Sequence, residues 1–167
     1  MRRPLIAAAL AAIAAPAIAQ SWPPPIAGRV QAVSCRQDEC VWARFIDVAQ
    51  IDTVRMGNLL AVRIRSATES EGVSPRNLRW GPVRTVYAFC SRVRPAYAFT
   101  SESGVLITHY LDLYDLSGFQ QASETMYMRI CHDRDPVDAN VLRQLGYQPG
   151  VRNEQVEGGR PRDMARL

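Results

Sequence analysis

Four cysteines stand downstream of an apolar leader, and that arrangement constrains the fold more than any other feature of the chain. Residues 1–19 read MRRPLIAAALAAIAAPAIA. Arg2 and Arg3 supply a basic start, Leu5 to Ala15 an apolar stretch, and Ala17-Ile18-Ala19 a small-x-small cleavage signature. These features predict a signal peptide cleaved before Gln20 and a mature chain in an oxidising compartment, periplasmic or secreted. No cysteine follows that cleavage site, so no lipid anchor is expected. In such a compartment an even set, Cys35, Cys40, Cys90 and Cys131, reads as two disulfides with three possible connectivities. The spacing favours Cys35–Cys40, closing the loop Arg36-Gln37-Asp38-Glu39, and Cys90–Cys131, joining mid-chain to the last structured segment. On a chain-entropy argument the two closures contribute about 2 and about 4 kcal/mol.

The same cysteines argue against thiol and metal chemistry. C-x4-C followed far away by Cys131-His132 lacks the paired C-x2-C spacing of zinc sites. There is no C-x-x-C redox motif and no C-x-x-C-H haem attachment motif.

Without residues 1–19 the 167-residue chain keeps 148, one ordinary domain. Hydrophobic residues at 47% and charged residues at 22% describe a chain that folds around a core. No apolar run of 18 residues occurs outside the leader, so no membrane span is expected in the mature chain. All 20 basic residues are arginine, which removes Schiff-base chemistry and lysine-dependent phosphate loops. The net charge of +4 falls to +2 once Arg2 and Arg3 are cleaved, too weak a bias to argue for a nucleic-acid partner.

Period-two alternation dominates the middle of the chain. Residues 20–28 read as a Pro-rich extended arm, with Trp22 and three prolines. Arg29 to Ser34 and Val41 to Val48 read as a hairpin pinned at its tip by Cys35 and Cys40. Leu59 to Thr68 alternates Leu60, Val62 and Ile64 against Arg63 and Arg65, entered through a turn at Met56-Gly57-Asn58. Glu69 to Pro82 reads as a long loop. Val83 to Ser91, Arg92 to Thr100 and Val105 to Tyr114 read as further strands, the second broken or at an edge because of Pro95. Residues 119–132 fit either period, and a loop followed by a last strand through Cys131 is the preferred reading. Asp135 to Gly146 predicts a helix, with Asp135 as N-cap, Pro136 at the first position and Gly146 just past the end. Residues 150–167 read as a disordered polar tail. The expectation is an α+β domain over residues 29–149. It has a mainly antiparallel sheet of five to seven strands, one C-terminal helix and two disulfides; an all-β barrel or sandwich is the alternative.

No catalytic constellation is evident. H-E-x-x-H, G-x-S-x-G, Walker A and Rossmann glycine patterns are absent. His109 sits on the apolar side of a strand and reads as a core histidine; His132 reads as bonding the following turn. Asp112 and Asp115 point to opposite faces, and Asp133, Asp135 and Asp138 lack the glycine of a calcium loop. No metal and no cofactor are expected. The candidate binding residues are Arg36, Gln37, Asp38 and Glu39, held rigid between two cysteines, and Arg63 and Arg65 on one strand face. They point to a non-enzymatic domain that binds a protein or an envelope component. The rival from another class is a small hydrolase using scattered carboxylates or His109.

Two resemblances bear on this. The run from Val86 through Cys90 and Pro95 to Ala96, with Met128-Arg129-Ile130-Cys131-His132, resembles a pattern in small exported alphaproteobacterial proteins that have no assigned activity. The run Ser34-Cys35-Arg36-Gln37-Asp38-Glu39-Cys40 is similar to the C-x4-C loop of the Ivy-type periplasmic lysozyme inhibitors. That resemblance implies an inhibitor acting through the Cys35–Cys40 loop. The family's loop carries a histidine where this one has none, and Cys90 and Cys131 lie outside its pattern.

Overall fold

The computed structural model describes residues 26–70, 72–115, 118 and 120–166. The expected signal peptide, most of the Pro-rich arm with Trp22, and Phe119 lie outside the described residues. Seven antiparallel strands form one open sheet in sequence order: β1 Val30–Arg36, β2 Glu39–Val54, β3 Gly57–Ser70, β4 Arg84–Ser91, β5 Ala96–Thr100, β6 Leu106–Tyr110 and β7 Glu154–Glu157. Between β6 and β7 run two helices, α1 Gln121–His132 and α2 Ala139–Gln144. Both favoured disulfides are present, Cys35–Cys40 and Cys90–Cys131.

The tip of the first hairpin is tighter than a four-residue loop. Arg36 pairs with Glu39 and Cys35 with Cys40, leaving only Gln37 and Asp38 as the turn. Both have positive φ, 50° and 62°, as a primed hairpin turn requires. Strand β2 then runs on well past Val48, because bulges at Ile46 and Ile51 turn it as it pairs along the whole of β3. The turn into β3 is at Arg55-Met56, and Gly57 is already in the strand. A Cβ at Gly57 would stand 2.4 Å from the Cys90 carbonyl oxygen, so only glycine lets β3 and β4 approach there.

Residues 121–132 form a helix, not the expected strand. Met126, Met128 and Ile130 mimic alternation because two adjacent faces of α1 are buried, one bearing Met126 and Ile130, the other Tyr127, Met128 and Cys131. The helix stops at Asp133, which takes a left-handed conformation. The next helix is shorter than the expected Asp135–Gly146. Asp138 caps it by accepting from Asn140 N and Val141 N, while the Asp135 carboxylate is held by Arg129. Gly146 does stand just past its end, with φ +89°.

The sheet is buried on both sides. On one, Phe45, Leu60, Val62, Ile64, Val86 and Tyr97 pack with α1 and Leu142. On the other, Leu59, Phe89, Ala96, Ala98 and Tyr110 pack with Met164 and Ala165. The second cluster corrects the expectation of a disordered tail from residue 150. Strand β7 pairs with β6, and the 3-10 turn Pro161–Ala165 buries Met164 almost completely. A composition rich in arginine and glycine hid two apolar residues, Met164, whose burial is worth about 2 kcal/mol, and Ala165, whose single methyl is worth under about 1 kcal/mol.

Candidate functional site

Helix α1 lies over the sheet beside β1, β4 and β5 without filling the space at one end. Arg36 ties the end of β1 to the start of the helix region, through Gly118 O at 2.7 Å and Gln121 Oε1 at 2.9 Å. Arg29 ties the other end of β1 to Asp133. Between these ties a groove of about 530 Å³ remains. Val33 and Val41, either side of the disulfide turn, form one wall; Ile64, Val86 and Phe99 form the floor, with Met126 of α1 above. Arg84, Ser101 and Glu102 supply the polar lining. Such a size and lining suit a small ligand with a large apolar part.

Tyr97 is the polar residue set deepest in this groove. It is 7% exposed, and its hydroxyl makes no hydrogen bond to the described residues. Burial pushes its phenol well above the ordinary value, so it stays protonated and can donate. Arg84 and Glu102 are exposed and form no ion pair among the described residues.

The six residues singled out from the sequence do not share one surface. Gln37, Asp38 and Glu39 are exposed at the turn beside the groove wall, while Arg36 is engaged with Gly118 and Gln121. Arg63 and Arg65 alternate with Val62 and Ile64, so they lie on the face away from α1. Arg63 pairs with Asp47 at 2.9 Å, and Arg65 stands opposite Arg44, whose guanidinium stacks on Trp80 at 4.6 Å. Tyr97, Arg84, Phe99 and Met126 escaped the sequence reading because three separate elements, β5, β4 and α1, bring them together. An aromatic-rich β5 was their only signal.

His109 is buried at 5% exposure. Its Nδ1 lies 2.7 Å from Ser123 Oγ and its Nε2 3.0 Å from Gln155 Oε1. Gln155 donates its amide to Glu157 at 3.2 Å, which turns its oxygen toward the ring. The proton order is therefore Ser123 donating to Nδ1 and Nε2–H donating to Gln155, with a neutral imidazole between. Burial lowers the His109 pKa from its ordinary value, the Gln155 bond opposing. These residues fasten α1 and β7 to β6. Of Asp112 and Asp115, Asp112 accepts from Tyr114 N at 2.9 Å and so serves its turn.

A second cleft, about 1030 Å³, opens at the other end of α1, between the β2–β3 turn, the end of β4 and the segment after α2. Neither His109 nor Ser123 lines either cavity. His132 lines the second one, with Nε2 2.6 Å from Tyr147 Oη. No family model, no curated protein and no solved structure matches the chain.

Proposed function

We propose that the chain is an exported, non-enzymatic binding domain that holds an amphipathic envelope component in the groove beside the disulfide turn. The observation that carries this reading is Tyr97, whose ring is buried in an apolar groove while its hydroxyl makes no hydrogen bond to the described residues. A hydroxyl fixed by a buried ring and not bonded within the protein can donate to a ligand bearing an acceptor, a bond worth about 1 kcal/mol net. The apolar body of the ligand lies over Ile64, Val86 and Phe99, its acceptor meets Tyr97, and an anionic end meets Arg84.

The test is titration of the disulfide-bonded protein with anilinonaphthalene sulfonate, an aromatic body with an anionic end, followed by fluorescence. Saturable enhancement is expected, weakened roughly threefold to tenfold by Tyr97→Phe and by Arg84→Gln. Val86→Trp fills the floor and should abolish it. No saturable enhancement up to about 1 mM, or equal affinity in Val86→Trp, would overturn the reading.

A second reading draws on the turn itself. Gln37, Asp38 and Glu39 are exposed on a two-residue turn locked by a disulfide, a shape that enters a partner's cleft at little entropic cost. The lysozyme-inhibitor resemblance gives that partner. It predicts that the protein slows lysozyme-driven wall lysis and that Cys35→Ser with Cys40→Ser removes the effect. Undiminished lysis at micromolar protein would end it.

A further inference from the structure

The cleft at the C-terminal end of α1 has one sign of charge. Arg55 from the β2–β3 turn and Arg92 just past the end of β4 line it, and among the described residues no carboxylate does. Neither arginine forms an ion pair among the described residues. The acids nearest in sequence are engaged elsewhere: Asp52 faces Arg162, Asp133 holds Arg29, and Asp135 holds Arg129. Arg134 adds a third cation near His132, and its Nε is buried without a hydrogen-bond partner.

Arg92 is held in place. Its side chain lies against Gly146, where a Cβ would stand 3.0 Å from Arg92 Cδ, so the absent side chain makes room for it.

His132 completes the lining with a defined hydrogen-bonding sense. Tyr127 Oη donates to Ser91 O at 3.0 Å, since a carbonyl only accepts. Tyr127 Oη, 2.7 Å from Tyr147 Oη, must then accept from Tyr147. Tyr147 Oη in turn accepts from His132 Nε2–H at 2.6 Å. Every proton in the chain points toward Ser91, so the neutral imidazole keeps its lone pair on Nδ1. That atom makes no hydrogen bond among the described residues.

We propose that this cleft is a binding site for a phosphate monoester. Unpaired guanidinium groups recognise phosphate oxygens through charge-assisted, often bidentate hydrogen bonds. The lone pair on His132 Nδ1 separates phosphate from carboxylate. A monoester with its second pKa near about 6 still carries a P–OH in part of its population, which can donate to Nδ1. An ionised carboxylate has no such donor. The cleft is also larger than a bare phosphate ion needs, which leaves room for the organic part of the ester. The site is independent of the groove beside the disulfide turn.

The test uses the full-length, disulfide-bonded protein titrated with glucose 6-phosphate, followed by shifts of the His132 imidazole resonances. Saturable binding is expected, weakened roughly tenfold by Arg55→Gln and again by Arg92→Gln. Arg55 is exposed in a turn, so Arg55→Gln tests the site even where Arg92→Gln disturbs the packing over Gly146. Acetate at equal concentration should not compete. No saturable shift up to about 10 mM, full affinity in the double variant, or equal competition by acetate would overturn the proposal. Flotation with vesicles of phosphatidic acid but not of phosphatidylglycerol would place the monoester on a lipid. Binding of glucose 6-phosphate without flotation would place it on a soluble ester. Flotation with both lipids and no effect of glucose 6-phosphate would reject monoester recognition.

Discussion

His132 Nε2 and Tyr147 Oη lie 2.6 Å apart beside the Cys90–Cys131 disulfide, in a cleft whose other charged lining is arginine. Burial first, then Arg134 and Arg92, lowers the His132 pKa from 6.5 to about 4. Between those values the unfolded chain binds a proton that the folded chain refuses. Stability is therefore lost as pH falls from about 6.5 toward 4. His132→Gln keeps an N–H donor for Tyr147 but does not titrate. Denaturant unfolding at about pH 7 and about pH 4.5 should show a smaller acid loss in the variant, by about 2 kcal/mol after allowing for partial exposure. Equal acid losses in the two proteins would contradict the buried, neutral imidazole.

Glu124 titrates in the opposite sense. It is 8% exposed within α1, and desolvation raises its pKa from 4.5 to about 7. Between those values the folded state holds a proton that the unfolded state has released, so stability falls as pH rises through the window. Glu124→Gln should be more stable than the natural chain by about 2 kcal/mol near pH 8 and match it near pH 4. A difference that does not change with pH would reject the assignment.

Met164 tests the ordered tail. It is almost fully buried against Leu59, Phe89 and Tyr110, and Arg94 adds a clasp through Arg166 O at 2.8 Å. Met164→Ala should cost about 2–4 kcal/mol in denaturant unfolding. A loss near zero would mean that the segment does not pack on the sheet.

The turn residues are the wrong ones for their conformation. Gln37 and Asp38 hold positive φ, which asparagine and glycine tolerate far better. Replacing them together, Gln37→Asn with Asp38→Gly, should raise stability by about 1 kcal/mol, read as a rise in melting temperature. A fall would place the turn's geometry in a different class.

Much of the sheet was legible because its residues carry their signal locally. Leu60, Val62 and Ile64 alternate with Arg63 and Arg65, and β3 forms there. The two disulfides followed from parity and spacing. Helix α1 was misread because a helix buried on two faces loses its amphipathic contrast, so Met126, Met128 and Ile130 looked like a strand. The tail was misread because two apolar residues among arginines and glycines give no period at all. Of the candidate site, the disulfide turn was visible, but the groove beside it was not. Tyr97, Arg84 and Met126 come from β5, β4 and α1, and no local pattern relates them.

What the sequence determined by itself is the set of interactions written into neighbouring residues. These are the alternating strands, the cysteine pairing and the glycine after α2. Tertiary structure alone decided which face of the sheet α1 would cover and where it would leave a groove. It also brought Arg55, Arg92 and His132 to one cleft and closed the second face with the last turn of the chain. The reason is that local patterns follow from backbone sterics and period. Which residues meet across the sheet depends on long-range packing, whose free energy appears only once distant segments exclude water together.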